Sequence, residues 1–384
     1  MKMLFSTTTI PLFIFLLFST CVKPKPLPIP SDLADSLDAL PKELTLKEIN
    51  PRILIGSPLE AEFDDKKYIH VFSNELSTGQ ALWYGRWGDR WVSEGKYEFT
   101  KFNNNINWML TMGLSPTMHM LVGADGYMPD WLIKGNWEPE KLDSLLQDLI
   151  YNIMDTNDNK NKIAVWNVAN ELFDDDGTYR TNMLWNKLGW EADSSLLTGD
   201  EKINEKHPIF IRKAFTYCRN KTKNKLELRD FNLEGDSPYG WKDNKQKGFY
   251  QLIKHMLNTN IPIDAVGIQG HLVIGNSKWW FEGDALKNSV RKFKDLGLDV
   301  YITELDIRSD KKTWTPDLAQ KQKTEYYNYI KQAIEGGATS IHLWGIQDGL
   351  DKGWYPDEHL LPWDENLDRK PAYYGVRQAL IDTR

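Results

Sequence analysis

Two glutamates each sit in a dense run of hydrogen-bonding and aromatic residues. Glu171 closes WNVANE at 166–171, and Glu304 lies inside ITELDI at 302–307. Two carboxyl groups brought to one cleft are what hydrolysis of a glycosidic acetal needs. One protonates the leaving oxygen, and the other attacks or activates water. A single Glu of this kind is ordinarily solvated or ion-paired. Two, each in such a run, point to chemistry. Asn170, then Gln269 and His271 in VGIQGHL at 266–272, and Trp344 in WGIQDG at 344–349 add hydroxyl-binding groups and a flat ring. Tryptophan is abundant, with 16 Trp against 16 Tyr and 15 Phe. Large cores and sugar platforms both use such rings, and composition leaves the two open.

The rest of the chain must position these groups. From about residue 51, short β-branched or apolar runs alternate with amphipathic stretches. The runs read as strands over 52–55, 68–72, 114–121, 163–168, 225–231, 263–268, 299–303 and 339–343. Segments 139–154, 249–257, 284–296 and 316–334 carry apolar residues at helical spacing. Eight strands with intervening helices predict an α/β fold, a (β/α)8 TIM barrel forming a single catalytic domain over 51–384. A doubly wound sheet is the alternative, but no Gly-rich turn follows the first strand. In a barrel, catalytic groups stand just past the C-terminal strand ends. Glu171 follows the fourth strand and Glu304 ends the seventh, on opposite sides of the ring, so both can face its mouth.

Other classes are excluded. The 384 residues are 41% hydrophobic and 26% charged, an ordinary globular balance. The net charge of −7 argues against nucleic-acid partners. Two cysteines exclude a disulfide scaffold and a cysteine-based zinc cluster. The seven His show no His-Glu-x-x-His spacing. The stretch Asp155-x-Asn157-x-Asn159 has Lys160 where a calcium loop needs Gly. No metal or cofactor is expected. Lys2, the apolar run 10–18 and FSTC at 18–21 read as a signal peptide over 1–21, with a lipobox-like end at Cys21. Residues 22–50, opening with VKPKPLPIP, read as a Pro-rich linker and lead-in. The expectation is an exported monomer, held at a bacterial envelope through a lipid on Cys21 or else secreted.

WNVANE, VGIQGHL, ITELDI and WGIQDG, in this order and spacing, resemble the signatures of glycoside hydrolase family 10, mainly endo-β-1,4-xylanases. RDFN at 229–232 resembles the family's fifth-strand Asn-Asp-Tyr-Asn. The resemblance implies Glu171 as acid/base, Glu304 as nucleophile, and Asn170 as a contact for the sugar 2-hydroxyl. It places Gln269 and His271 beside Glu304, and Trp344 and Trp354 as an aromatic floor. Departures are also present. Asn167 stands where the family usually has Asp. In the second-strand Glu-Asn-x-Met-Lys-Trp, Asn74 is retained and Ser77 replaces the sugar-binding Lys. In the third-strand Gly-His-Thr-Leu-Val-Trp-His, aligned with 119–125, Met120 replaces the first His and Ala124-Asp125 replace Trp-His. The implied activity is retaining, endo-acting cleavage of β-1,4 linkages in xylan or a xylan-like polysaccharide. The alternatives are hydrolysis of another β-linked or modified glycan, and a non-catalytic surface glycan-binding protein. The roles of Trp83, Trp87, Trp91 and of 279–281 stay open.

Overall fold

The computed structural model describes residues 44–60, 65–83, 91–235, 241–275, 281–309, 313–349 and 358–384. The expected leader, Cys21, most of the expected Pro-rich linker, Trp87, Trp279, Trp280 and Trp354 lie outside the described residues.

Eight parallel strands form the ring: β1 Leu54–Gly56, β2 Thr78–Leu82, β3 Ser115–His119, β4 Val165–Asn170, β5 Lys225–Asp230, β6 Ala265–Ile268, β7 Asp299–Ser309 and β8 Ser340–Leu343. Each strand pairs with its sequence neighbour, and β8 returns to β1. A parallel bridge between Pro58 and Gln80 joins β1 to β2 and closes the circle. A helix follows every strand: α1 Lys66–Glu75, α2 Thr100–Thr111, α3 Pro139–Asp155, α4 Ile209–Lys221, α5 Trp241–Asn258, α6 Ala285–Lys294, α7 Pro316–Gly336 and α8 Pro371–Asp382. The expected (β/α)8 barrel is the fold.

The helices form for local reasons. On α3, Leu142, Leu145, Leu146, Leu149, Ile150 and Ile153 recur at helical period and are buried. Helix α7 starts at Thr315, whose hydroxyl accepts from Leu318 N at 3.2 Å, with Pro316 in its first turn. It ends at Gly337, whose φ of 110° few other residues adopt.

One expected strand is wrong. Residues 68–72 belong to α1, and β2 begins only at Thr78. The run Tyr68-Ile69-His70-Val71-Phe72 looks like a strand by composition. Asp65 decides otherwise, because its carboxylate accepts from Tyr68 N at 2.9 Å and caps a helix. Tyr68 and Phe72, four apart, then face the core together.

Inside the ring, a cavity of about 40 Å³ near the strand starts is bordered by Thr78, Thr117, Glu227, Arg229, Thr303 and His342. It is too small for a sugar ring.

Candidate active site

The C-terminal strand ends at the barrel mouth are shaped to aim side chains. The β4–β5 register shifts between Asn167 and Ala169, and the β7–β8 register shifts between Ile302 and Leu305. Such irregularities re-aim side chains beside functional sites. Glu171, just past β4, has φ 54°, an uncommon value for a residue with a side chain and one that marks a constrained position.

Glu304 is nearly enclosed, with 4% of its side chain exposed. His271 Nε2 donates to its Oε2 at 3.3 Å. The other ring nitrogen, Nδ1, donates to Asp306 Oδ2 at 2.9 Å. Arg229 Nη1 donates to Glu304 Oε1 at 3.4 Å, and His119 Nδ1 lies 3.6 Å from the same oxygen. Burial would raise the Glu304 pKa; His119, charged only in acid, together with His271 and Arg229 outweighs it and lowers the carboxyl to about 2. Burial pushes His119 itself down to about 3, so near neutrality it is an uncharged ring. The standing positive charges on Glu304 are therefore Arg229 and His271. Burial would lower the His271 pKa, yet Asp306 and Glu304, one on each nitrogen, raise it well above the ordinary value.

Glu171 is more open, with 21% of its side chain exposed. Gln269 Nε2 donates to Glu171 Oε1 at 3.1 Å and to Asn170 Oδ1 at 3.2 Å, tying the two neighbours together. Burial raises the Glu171 pKa, and the negative charges of Glu304 and Asp230 raise it further. Gln269 and Arg180, whose Nη2 lies 3.9 Å from Glu171 Oε2, only partly oppose this. One carboxyl is thus biased to hold a proton and the other to be ionised, the separation that acid/base and nucleophilic roles require.

Trp344 lies over this cluster. Its ring meets His119 and His271 edge-on, with centroids 5.5 and 6.2 Å apart. Glu171, Glu304, Asn170, Gln269, His271 and Trp344 therefore converge as a group.

Asn74 does not join them. It is on α1, exposed, beside the His70 ring at 3.1 Å. The end of α1 feeds the start of β2, at the opposite end of the barrel from the site. Ser77 is also there, its hydroxyl accepting from Ile55 N at 3.0 Å. Neither residue shapes the cleft; β2 ends instead in Ala81 and Leu82, followed by the buried Trp83. The third-strand alignment also slips by one residue. His119, not position 120, ends β3 and faces Glu304, so the histidine taken as lost is present. Met120 is buried with its thioether against Gly123. Trp83 and Trp91 are core residues, and Trp91 packs edge-on against Trp131.

Four site residues escaped the sequence reading. His119 closes a predicted strand, and attention to strand ends would have found it. Arg229 opens the RDFN run. Tyr127 and Arg180 come from loops without a signature. Burial and the nearby charges of Glu171 and Glu304 raise the Tyr127 pKa to about 12.

Asp193, His207 and His255 also come within metal-ligand spacing of one another. Their ring nitrogens are engaged by Tyr179, Asp193, Ser194 and Glu191, so the group reads as a hydrogen-bonded strap.

Comparison with known proteins agrees with this geometry. The model of glycosyl hydrolase family 10 matches residues 55–379. The chain belongs to that family. By descent it is a glycoside hydrolase. An endo-1,4-beta-xylanase of Agaricus bisporus is 27% identical over 310 residues, covering 79% of this chain and 82% of that protein. Endo-1,4-beta-xylanase 2 of Aureobasidium pullulans is 31% identical over 267 residues, 67% of each chain. Native xylanase 10B from Thermotoga maritima superposes with a TM-score of 0.75 at 23% identity, covering 89% of this chain and all (100%) of that one, a likeness of fold.

Proposed function

We propose that this family 10 member is a retaining, endo-acting hydrolase of β-1,4 linkages in xylan or a xylan-like polysaccharide. The observation that carries the reading is the arrangement of two carboxyl groups at one mouth, Glu304 enclosed by the donors Arg229 and His271 and Glu171 more open beside Gln269, which biases the first to be ionised and the second to hold a proton. Glu304, ionised, attacks the anomeric carbon. Glu171, protonated, gives its proton to the departing oxygen. A glycosyl ester on Glu304 results; Glu171, now ionised, takes a proton from water, which attacks the ester and regenerates Glu304. His271 and Arg229 steady the negative charge of Glu304 before attack. Asn170, oriented by Gln269, is the contact for the sugar 2-hydroxyl, and Trp344 is a platform for a sugar face. The xylanase names of the relatives support xylan as the polymer class. The leader supports action outside the cytoplasm, and the mass of the mature N-terminus tests lipidation at Cys21.

The test is the anomeric configuration of the first product from xylan, followed by NMR. Retention is expected. An inverted first product means that Glu304 activates water and that no ester forms.

A decorated or mixed-linkage β-glycan is a second reading, favoured by one observation. Strand β2 ends in Ala81 and Leu82, followed by Trp83, without the lysine that grips a plain chain in the family pattern. Loss of a charged hydrogen bond costs about 1.5–3 kcal/mol. kcat/KM on xylotetraose beside decorated oligomers of equal length decides. Higher efficiency on the plain oligomer removes the second reading.

A further inference from the structure

The fifth-strand motif departs from the family pattern at its first position, where Arg229 replaces the usual asparagine. Arg229 is buried inside the barrel and held from two sides. Its Nε and Nη2 donate to Glu227 Oε1 and Oε2 at 3.1 and 2.7 Å. This two-point grip uses the planar fork of the guanidinium. Nη1 is left to donate at 3.3 Å to Gln80 Oε1, 3.1 Å to His119 Nδ1 and 3.4 Å to Glu304 Oε1. Gly267 on β6 makes room, since a Cβ there would overlap Glu227 Oε1 and Arg229 Cβ.

We propose that Arg229, locked by Glu227, is a positioning residue that orients Glu304 Oε1 and supplies a pH-independent positive charge beneath it. This rests on the reading of Glu304 as the nucleophile. Five groups face Glu304: His119 from β3, Glu171 just after β4, Arg229 from β5, His271 just after β6, and Tyr127 from the loop after β3. His119 accepts from Arg229 at Nδ1 and is uncharged near neutrality. Tyr127 is neutral, and Glu171 is an acid. His271 carries charge but divides it between Glu304 and Asp306 at a half-open position, 20% exposed. Arg229 is the one of these five that no accessible pH discharges. Glu227 lies beyond the guanidinium from Glu304, so the pair acts as a dipole with its positive end at the nucleophile. Inside a barrel, where water screens little, such a dipole acts strongly. If Arg229 only filled space, its removal would lower stability and scale activity equally at every pH.

The test uses the double variant Arg229→Asn/Glu227→Gln, which restores the family's asparagine and leaves no unpaired buried carboxylate. Arg229→Gln/Glu227→Gln, closer in volume, serves if the first does not fold. Arg229→Lys keeps the charge. The readout is the acid limb of kcat/KM, with mass spectrometry of the ester formed from an activated 2-fluoro glycoside. Neutralising the pair should move the acid limb upward by about one pH unit, a tenfold change in the ionised fraction. Arg229→Lys should leave the limb near its original place while lowering kcat. An unmoved limb in the neutral variant, with the ester still forming on the wild-type chain, overturns the proposal. Absence of any ester on Glu304 of the wild-type chain overturns the nucleophile reading instead.

Discussion

Two buried clusters of histidine and carboxylate occupy this molecule, built from the same residue types and behaving in opposite ways. At the barrel mouth, His271 lies between Glu304 and Asp306 and is held protonated. In the strap, His207 lies between Asp193, at 2.8 Å, and the Tyr179 hydroxyl. Burial pushes its pKa down to about 4. The His207 and His255 rings stack with centroids 4.2 Å apart, and His255 Nδ1 accepts from Ser194 N at 3.1 Å. Asp193 also accepts from Ser195 N and Oγ at 2.9 and 2.8 Å. The strap satisfies itself with ordinary partners and ties the strand pair Trp190–Ala192 and Lys206–Pro208 to α5. The mouth holds charge in excess of its internal needs, on a face partly open to solvent. Titratable groups become a reaction centre through that mismatch.

The largest effect that separates the clusters should come from Glu304→Gln. Turnover on xylan is expected to fall by about 10³ or more, with no ester detectable by mass spectrometry. A loss below about tenfold would move the nucleophile elsewhere.

Glu171→Ala should come next. Natural xylan, with a poor leaving group, should lose about 10²–10⁴ in kcat. Activated aryl glycosides, which need little proton donation, should lose far less in ester formation. The same variant should remove the alkaline limb. The acid form of Glu171 is the working form, and wild-type activity falls as pH rises through its elevated pKa. Equal losses on both substrates would undo the division of roles.

In the strap, His207→Phe should leave kcat/KM unchanged and cost about 1–3 kcal/mol of stability, because Asp193 and Tyr179 lose their partner. The sign of its pH dependence follows from linkage. The folded state holds His207 neutral down to about 4, against an ordinary 6.5. The unfolded chain takes up the proton first, so the wild type loses stability as pH falls from about 6.5 toward 4. His207→Phe should lack this part of the decline, measured by urea melts across that range. A fall in kcat/KM would join the strap to the site.

The smallest effect belongs to Asn74→Ala. Exposed on α1, away from the mouth, it should change kcat/KM less than about twofold, as surface substitutions generally do.

These contrasts show how far the chain could be read directly. Glu171, Glu304, Gln269 and His271 were legible because the chemistry fixes their types and the barrel fixes their places at strand ends. Residues 68–72 were misread because apolar β-branched runs suit helix and strand alike. Only the Asp65 cap and the packing of Tyr68 with Phe72 separate the two. That error carried Asn74 and Ser77 into the cleft on paper, since both lie at the far end of the barrel. Tyr127 and Arg180 had no signal, because loop residues reach a site through the path of the backbone.

By itself the sequence determined seven of the eight strands with their alternating helices, the two glutamates and several of their neighbours. Periodicity and residue type are local properties, and the glutamate-bearing motifs each lie within a few residues of a strand end. The tertiary structure decided which carboxyl is ionised, that His119 and Arg229 stand beneath Glu304, and that the His207 cluster is a strap. Those outcomes depend on burial and on distances between residues far apart in the chain. Only closure of the barrel sets them, and Glu304 takes its charge partners from β5 and the segment after β6, and its neutral His119 neighbour from β3.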